Sequence, residues 1–175
     1  MSTTDSILPA AVLELFWRRQ IAVHDEAKET ERQIVQHIDQ EFSNLINSLK
    51  DLVRLIPTDL LYRHPPAVSV GENILRSAAI VEQTCGGLTS NLWDDPFEWT
   101  LPETLSNPAL IIEYLSEVDL ERQHAFSSIR DDGALSKLIS DPSGERLLIS
   151  LLLETLVRAS DFRGRALAIL VQLKD

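Results

Sequence analysis

The sequence predicts an all-α protein, a four-helix bundle with an additional helical segment at its N-terminus. Three observations favour this fold class. Apolar residues recur every three or four positions over long stretches, which is the spacing of one face of an α-helix. Signals that begin a helix precede three of these stretches, at Ser69, at Asn107-Pro108 and at Asp141-Pro142. No useful length of chain alternates apolar and polar residues, so the sequence predicts no strand.

The first helix of the bundle is predicted over 28–56 and ends before Pro57, whose ring cannot continue a helix. Its apolar stripe consists of Ile34, Ile38, Phe42, Leu45, Leu49, Leu52 and Ile56. Residues 1–24 are interpreted as a separate amphipathic extension, and residues 25–175 as the bundle. The extension brings Leu15, Phe16 and Trp17 together. Such a segment needs a surface to pack against, either its own bundle or a second copy in a homodimer.

Three further helices follow, over 70–86, 108–130 and 142–173. The second is predicted to start with a capping box and to end at Gly86-Gly87. The third presents a stripe of Ile111, Leu115, Val118, Arg122, Ala125 and Ile129. The fourth is apolar almost all round near its start, so we expect it to be the most buried element. Up-and-down packing is the natural arrangement, although the longer links allow a crossover.

The composition narrows the classes of partner. The chain has 175 residues, a net charge of −11 and a pI near 4.7. A surface this acidic repels phosphate backbones and anionic bilayers, so we expect neither nucleic acid nor a membrane as a partner. No apolar run reaches the roughly 18 residues of a membrane span, and no signal-peptide pattern opens the chain. We therefore expect a cytoplasmic protein, in which the single Cys85 is a buried structural residue or, alternatively, a nucleophile.

Three segments give the chain a resemblance to a known family. Pro65-Pro66 is followed by the run Ser69 to Leu75, a loop with prolines and aromatic residues follows the second helix, and Pro142-Ser-Gly-Glu145 leads to Arg163-Gly164-Arg165. Over residues 28–173 these features resemble the DinB-like family. The resemblance implies a four-helix bundle, frequent dimers, and in typical members a divalent metal held by three histidines. Characterised members transfer low-molecular-weight thiols or isomerise small substrates with a thiol cofactor.

This chain departs from the family at the metal site. By position, the ligand of helix two falls at Ser77, and the histidine pair of helix four falls at Arg158 and Phe162. A serine hydroxyl is a poor ligand, arginine stays protonated, and phenylalanine has no lone pair. The resemblance therefore implies a degenerate site that holds neither metal nor cofactor. Ser77, Trp93, Arg158, Asp161 and Phe162 are then the candidate ligand-binding residues.

Three functions remain open from the sequence. The first is a non-catalytic module that binds a small anionic ligand through the guanidinium of Arg158. In the simpler alternative Arg158 pairs with Glu154 or Glu82, and the aromatic residues only close the end of the bundle. The second function is a homodimeric structural or interaction protein. The third is a metal-independent, thiol-linked transferase or isomerase related to the bacillithiol- or mycothiol-dependent DinB-like enzymes.

Overall fold

The computed structural model describes residues 31–63, 68–98 and 104–174. The predicted N-terminal extension lies outside these residues, as do positions 25–30. The described chain is mostly helical, which confirms the all-α class. Its long elements are helices α1 (Gln33–Leu55), α2 (Val70–Ser90), α3 (Pro108–Ser128) and α4 (Leu148–Lys174), with a hairpin of strands β1 (Leu138–Asp141) and β2 (Gly144–Leu147).

Helix α1 begins later than predicted because its cap comes from a distant part of the chain. Glu31 and Arg32 form a turn, and the helix starts at Gln33. The carboxylate of Asp132 accepts hydrogen bonds from the amides of Ile34 (3.1 Å) and Val35 (2.9 Å). Two otherwise unpaired donors of the first turn are thus satisfied by a residue beyond α3. Ile34, predicted to lie in the buried stripe, is 50% exposed, and Val35 is buried in its place.

Helix α2 has the predicted beginning and a different end. The Ser69 hydroxyl accepts from the Glu72 amide, and the Glu72 carboxylate accepts from the Ser69 amide, so the capping box is confirmed. The predicted stop at Gly86-Gly87 is wrong, because the helix continues to Ser90. Its terminating residue is Asn91, which has the left-handed conformation with φ 55°.

Helix α3 follows the prediction closely. The Asn107 side chain accepts from the amides of Ala109 and Leu110, and Pro108 occupies the first turn. The helix ends at Ser128, two residues earlier than predicted. All members of the predicted stripe are buried, namely Ile111, Leu115, Val118, Arg122, Ala125 and Ile129.

The hairpin contradicts two predictions, that the chain has no strand and that the last helix starts at 142. Leu138 pairs with Leu147 and Asp141 with Gly144 in an antiparallel register. Asp141 Oδ1 accepts hydrogen bonds from the amide (2.7 Å) and hydroxyl (2.6 Å) of Ser143, which builds a local turn. Gly144 has φ 127°, a conformation that favours glycine. The Asp-Pro pair that signals a helix start also suits a tight turn, and here the turn prevails.

The prediction that the last helix is the most buried element is also wrong. Helix α4 buries one face, which includes Leu152, Ala159 and Ala166, and leaves large apolar residues on the opposite face. Leu153 is 47% exposed and Val157 is 68% exposed. The rest of the described chain therefore covers one apolar face of α4 and leaves another apolar face exposed.

Of the consecutive pairs of helices, only α2 and α3 pack extensively on each other. Helix α1 packs on α3 and to a smaller extent on α4, whereas α2 packs on α4 and α3 and hardly touches α1. Contacts of Ser77 with Ala159 and of Thr84 with Thr155 make α2 and α4 antiparallel. Likewise, the contacts of Arg32 with Phe126 and of Arg122 with Asp39 show that α1 and α3 are antiparallel.

Helices α2 and α3 run in the same direction. Tyr62, before α2, donates its hydroxyl to the Leu105 carbonyl before α3, and farther along Tyr114 reaches Glu82. Parallel neighbours need a connection that travels the length of a helix, which explains the long segment between Asn91 and Asn107. Simple up-and-down packing is therefore not the arrangement of the described helices.

A buried cation, Arg122, lies in the core. The Arg122 side chain is 6% exposed and lies between the carboxylates of Asp119, at 2.9 Å, and Asp39. It also donates to the Asp39 carbonyl. Two carboxylates and a carbonyl offset the cost of removing the guanidinium from water. Arg122 thereby joins α3 to α1 within an otherwise apolar stripe.

Candidate functional site: a groove between α2 and α4

Two hydroxyl contacts join α2 to α4. The buried Ser77 hydroxyl donates to the Ala159 carbonyl at 2.7 Å. Two turns farther along α2, the hydroxyl of Thr84 lies 2.8 Å from that of Thr155. Thr155 gives its own proton to the Leu151 carbonyl, so Thr84 is the donor in this pair. At the position where the DinB-like resemblance expects a metal ligand, the Ser77 oxygen therefore serves helix packing.

A polar cavity of about 340 Å³ opens beside these contacts. Gln83 of α2, Trp93, the hairpin turn and the first half of α4 line it, and Arg158 lies at its edge. Arg158 is 58% exposed, and its nearest carboxylate is that of Glu154 at 3.9 Å. The pairing with Glu154 that the simpler alternative predicted is thus present, although the contact is long. Because Arg158 is exposed, the argument from a buried, unpaired charge does not apply to it.

Trp93 forms a fixed wall of the polar cavity. Its carbonyl accepts from the Gln83 amide group at 2.7 Å, and its ring nitrogen donates to the Asn91 side chain at 3.1 Å. The ring lies directly against Gly87, where an added Cβ would be 2.4 Å from ring atoms. The indole therefore packs directly on the backbone at Gly87. This explains a glycine within the helix, because any side chain there would overlap the ring.

The charges around the polar cavity are nearly balanced. Arg146 donates to Asp141 (2.7 Å), to Glu154 (2.6 Å) and to the Ser143 hydroxyl (2.5 Å). The hydrogen bonds from Ser143, assisted by Arg146, hold the pKa of Asp141 below its ordinary value. These contacts use three of the five N–H donors of the Arg146 guanidinium. Arg158 has only the long contact with Glu154, so it is the cation at this cavity with more donors available to a ligand.

A second, mostly apolar cavity of about 460 Å³ lies farther along the same two helices. It is lined by Val68, Asn73, Arg76, Phe162, Arg165, Ala168 and Ile169. The guanidinium of Arg76 lies 3.9 Å from the centre of the Phe97 ring, and that of Arg165 lies 5.1 Å from the centre of the Phe162 ring. Arg165 also pairs with the exposed Asp161 at 2.6 Å. Two cations thus border an apolar lining.

The candidate residues from the sequence separate into three groups. Trp93 and Arg158 line the polar cavity, Phe162 lines the apolar cavity, and Asp161 reaches the second cavity only through Arg165. Ser77 is buried between the helices and lines neither cavity. Arg158 and Phe162 are four residues apart on α4, so the two cavities follow one another along a single groove.

The cavity residues that sequence reasoning missed include four charged ones, namely Arg76, Asp141, Arg146 and Arg165. The run Asp141-Pro-Ser-Gly144 is a turn signal, and interpreting it as a hairpin would have placed Asp141 and Arg146 on facing strands. Nothing in the spacing of Arg76 or Arg165 predicts a cavity. Their positions depend on how α2 and α4 are rotated against each other.

Two titratable groups near α2 are perturbed by burial. Burial raises the pKa of the Cys85 thiol from 9.0 to about 12, and the carboxylate of Glu121 adds to the effect. The side chain is buried, as the structural interpretation of this cysteine predicted. Burial also raises the pKa of Glu82, although its hydrogen bond from the Tyr114 hydroxyl at 2.5 Å acts in the opposite direction.

Within residues 31–63, 68–98 and 104–174, no three histidine, cysteine or acidic side chains converge as a metal site would require. In the same part of the chain, no helix combines the length and apolarity needed to cross a bilayer. Neither a protein-family model nor a curated protein sequence matches this chain.

Proposed function

We propose that this protein is a non-catalytic binding module of DinB-like bundle type, and that its ligand is a small molecule with an anionic head and an apolar body. The head would meet Arg158 in the polar cavity, and the body would follow α4 to Phe162 in the apolar cavity. The observation that carries the proposal is the succession of these two cavities along one groove, with an exposed guanidinium where they approach each other.

The chemistry of the groove supports an anion at Arg158. Its contact with Glu154 is 3.9 Å long, so a carboxylate or phosphate at hydrogen-bond distance would be a better partner. The neighbouring Arg146 pairs with both Asp141 and Glu154, and its positive charge offsets part of the repulsion that these carboxylates would exert on an anion. Trp93 is already held by Gln83 and Asn91, so ordering this wall costs the ligand little entropy.

The second cavity supports an apolar body. Its lining includes Val68, Phe162 and Ile169, and burial of each methylene there contributes about 0.8 kcal/mol. A catalytic alternative that uses the chain's own thiol has less support, because Cys85 is buried and lines neither cavity. A thiol-linked reaction in this groove would need a thiol from the ligand.

The contributions of head and body to the affinity can be separated by calorimetric titration of three compounds into the full chain. Octanoate has both groups, octanol has only the apolar body, and acetate has only the anionic head. Octanoate should bind more tightly than the other two, since only octanoate carries both groups. Arg158→Met should weaken octanoate by about tenfold, the value of roughly one charge-assisted hydrogen bond, and leave octanol unchanged. Arg54→Met is the matched control, because Arg54 lies on the exposed surface of α1 and pairs with Asp51.

Two outcomes would refute the proposal. One is the absence of octanoate binding at millimolar concentration in the unsubstituted protein. The other is equal octanoate affinity in the Arg158→Met and Arg54→Met variants with unchanged melting temperatures.

A further inference from the structure

Helix α4 carries an apolar stripe that nothing in the described chain covers. Its members recur at alternating intervals of four and three, which places them along one line of the helix. They are Leu153, Val157, Ser160, Gly164, Leu167 and Val171. We call these residues the α4 stripe. The four large members are 47%, 68%, 50% and 55% exposed in the order Leu153, Val157, Leu167 and Val171.

The shape of the α4 stripe suits the packing of a second helix against it. Large side chains occupy both ends, whereas Ser160 and Gly164 leave a shallow depression in the middle. Apart from the adjacent residues and backbone of α4 itself, no atom lies within 4 Å of a Cβ built on Gly164. Small residues at the centre of such a line allow a second helix to approach closely or a bulky side chain to insert. Glycine lowers helix stability by about 1 kcal/mol relative to alanine, so its presence at this exposed position costs stability.

We propose that the α4 stripe is the docking site of this chain's own segment 7–23. The position at which the described chain begins supports this occupant. The Glu31 carbonyl accepts a hydrogen bond from the Asp132 amide, and the turn after Asp132 leads to Lys137, whose carbonyl accepts from Leu148, the first residue of α4. Glu31 therefore lies at the end of the molecule where α4 begins. A segment that runs antiparallel to α4 would reach that end.

The lengths of the two partners also agree. As a helix, residues 7–23 would be about 25 Å long, and the part of α4 from Leu153 to Val171 is about 28 Å long. Residues 24–30 can span roughly 23 Å as the connection. When the two segments are aligned antiparallel from end to end, the centre of 7–23 falls opposite Ser160 and Gly164. That centre holds Leu15, Phe16 and Trp17, so the bulkiest side chains meet the depression.

Charge favours this occupant over a second copy of the chain. In residues 1–24, Arg18 and Arg19 balance Asp5 and Glu14, so the remainder carries the whole net charge of −11. Two such bodies repel each other, whereas a neutral segment does not add to the repulsion. The segment is also tethered close to its site, which gives it an effective concentration in the millimolar range.

Thiol accessibility in the full-length chain tests the proposal. Ser160→Cys places a thiol in the middle of the α4 stripe, where the native serine is half-buried, and Ser127→Cys is an exposed control on α3. The native Cys85 is buried and does not compete. In the folded protein, the thiol at 160 should react with a maleimide at least about tenfold more slowly than the thiol at 127. Adding Leu15→Asp and Phe16→Asp to Ser160→Cys should abolish that protection.

A cross-linking arm distinguishes the possible occupants. The double variant Phe16→Cys/Ser160→Cys should be joined by a short bismaleimide within one chain, and light scattering should give the mass of a monomer. A dimer linked through the thiols at 160, together with a dimeric mass, would overturn the proposal in favour of a second copy. Equal labelling at 160 and 127 without any cross-link would overturn it in favour of an open surface. Melting curves verify that each variant is folded.

Discussion

Burial determines which side chains of this protein are available for chemistry. Cys85 is the only thiol, and it is enclosed by the core, where the charged thiolate is strongly disfavoured. Ser77 is equally inaccessible, and its hydroxyl is used by the Ala159 carbonyl. Arg158 is the opposite case, since it is exposed and only loosely paired. Of these three side chains, burial therefore leaves only that of Arg158 accessible to a ligand.

The raised pKa of Cys85 predicts a slow and pH-dependent reaction with thiol reagents. At pH 8 the thiolate fraction is about 0.01% for a pKa of about 12, against about 10% for the ordinary value of 9.0. Because burial restricts access as well, labelling of the native protein with Ellman's reagent should be at least about a hundredfold slower than in guanidinium chloride. The native rate should rise as the pH is raised. Rapid labelling of the native protein at pH 8 would contradict the burial of this thiol.

At the level of single elements, one glycine signal and one proline signal were misleading. Gly86-Gly87 signals a helix end, yet α2 continues to Ser90 and the Trp93 ring packs against Gly87. Asp141-Pro142 signals a helix start, yet the side chain of Asp141 closes a hairpin turn with Ser143. The same residues are thus compatible with either of two local structures. At Gly86-Gly87 these are a helix end and a continuous helix. At Asp141-Pro142 they are a helix start and a hairpin turn, and the turn is completed by Gly144.

The contact between Trp93 and Gly87 predicts a non-additive pair of substitutions. Gly87→Ala should destabilise the protein by about 1–3 kcal/mol, because the added methyl overlaps the ring and forces it from its place. Trp93→Ala removes the ring, so Gly87→Ala in that background should be neutral or stabilising by up to about 1 kcal/mol. Urea unfolding of the four proteins measures this coupling. Equal effects of Gly87→Ala in the two backgrounds would show that the indole does not pack there.

For the molecule as a whole, a few polar contacts between distant residues hold the helices in their non-sequential order. Arg122 joins α3 to α1 through Asp39, and Asp132 caps α1 from the segment after α3. The hydroxyls of Ser77 and Thr84 join α2 to α4. Apolar burial supplies most of the stability but does not by itself specify neighbours, whereas these directional contacts do.

The Asp132 cap predicts a stability change at the far end of the molecule. Asp132→Ala should cost about 1–2 kcal/mol, because the Ile34 and Val35 amides lose their acceptors. Asp132→Asn keeps one side-chain acceptor and should cost less. Hydrogen exchange should show faster exchange of these two amides in the alanine variant. An unchanged urea midpoint for Asp132→Ala would contradict a role of this carboxylate in stability.

The sequence by itself determined the local features of this protein. Periodicity predicted the four helices and most of the buried stripes, and the caps at Ser69 and Asn107 were confirmed because they depend on residues within one turn. Trp93, Arg158 and Phe162 were named from the sequence as candidates, and their role as ligand-binding residues stays a prediction.

Only the tertiary structure decided which helices are neighbours, that α2 and α3 run parallel, and that Arg158 and Phe162 line two successive cavities. It also decided that one apolar face of α4 stays exposed. Periodicity cannot supply this information, because it shows that a face is apolar but not which surface covers it. That choice depends on contacts between residues far apart in the chain, such as Asp132 with Val35 and Ser77 with Ala159.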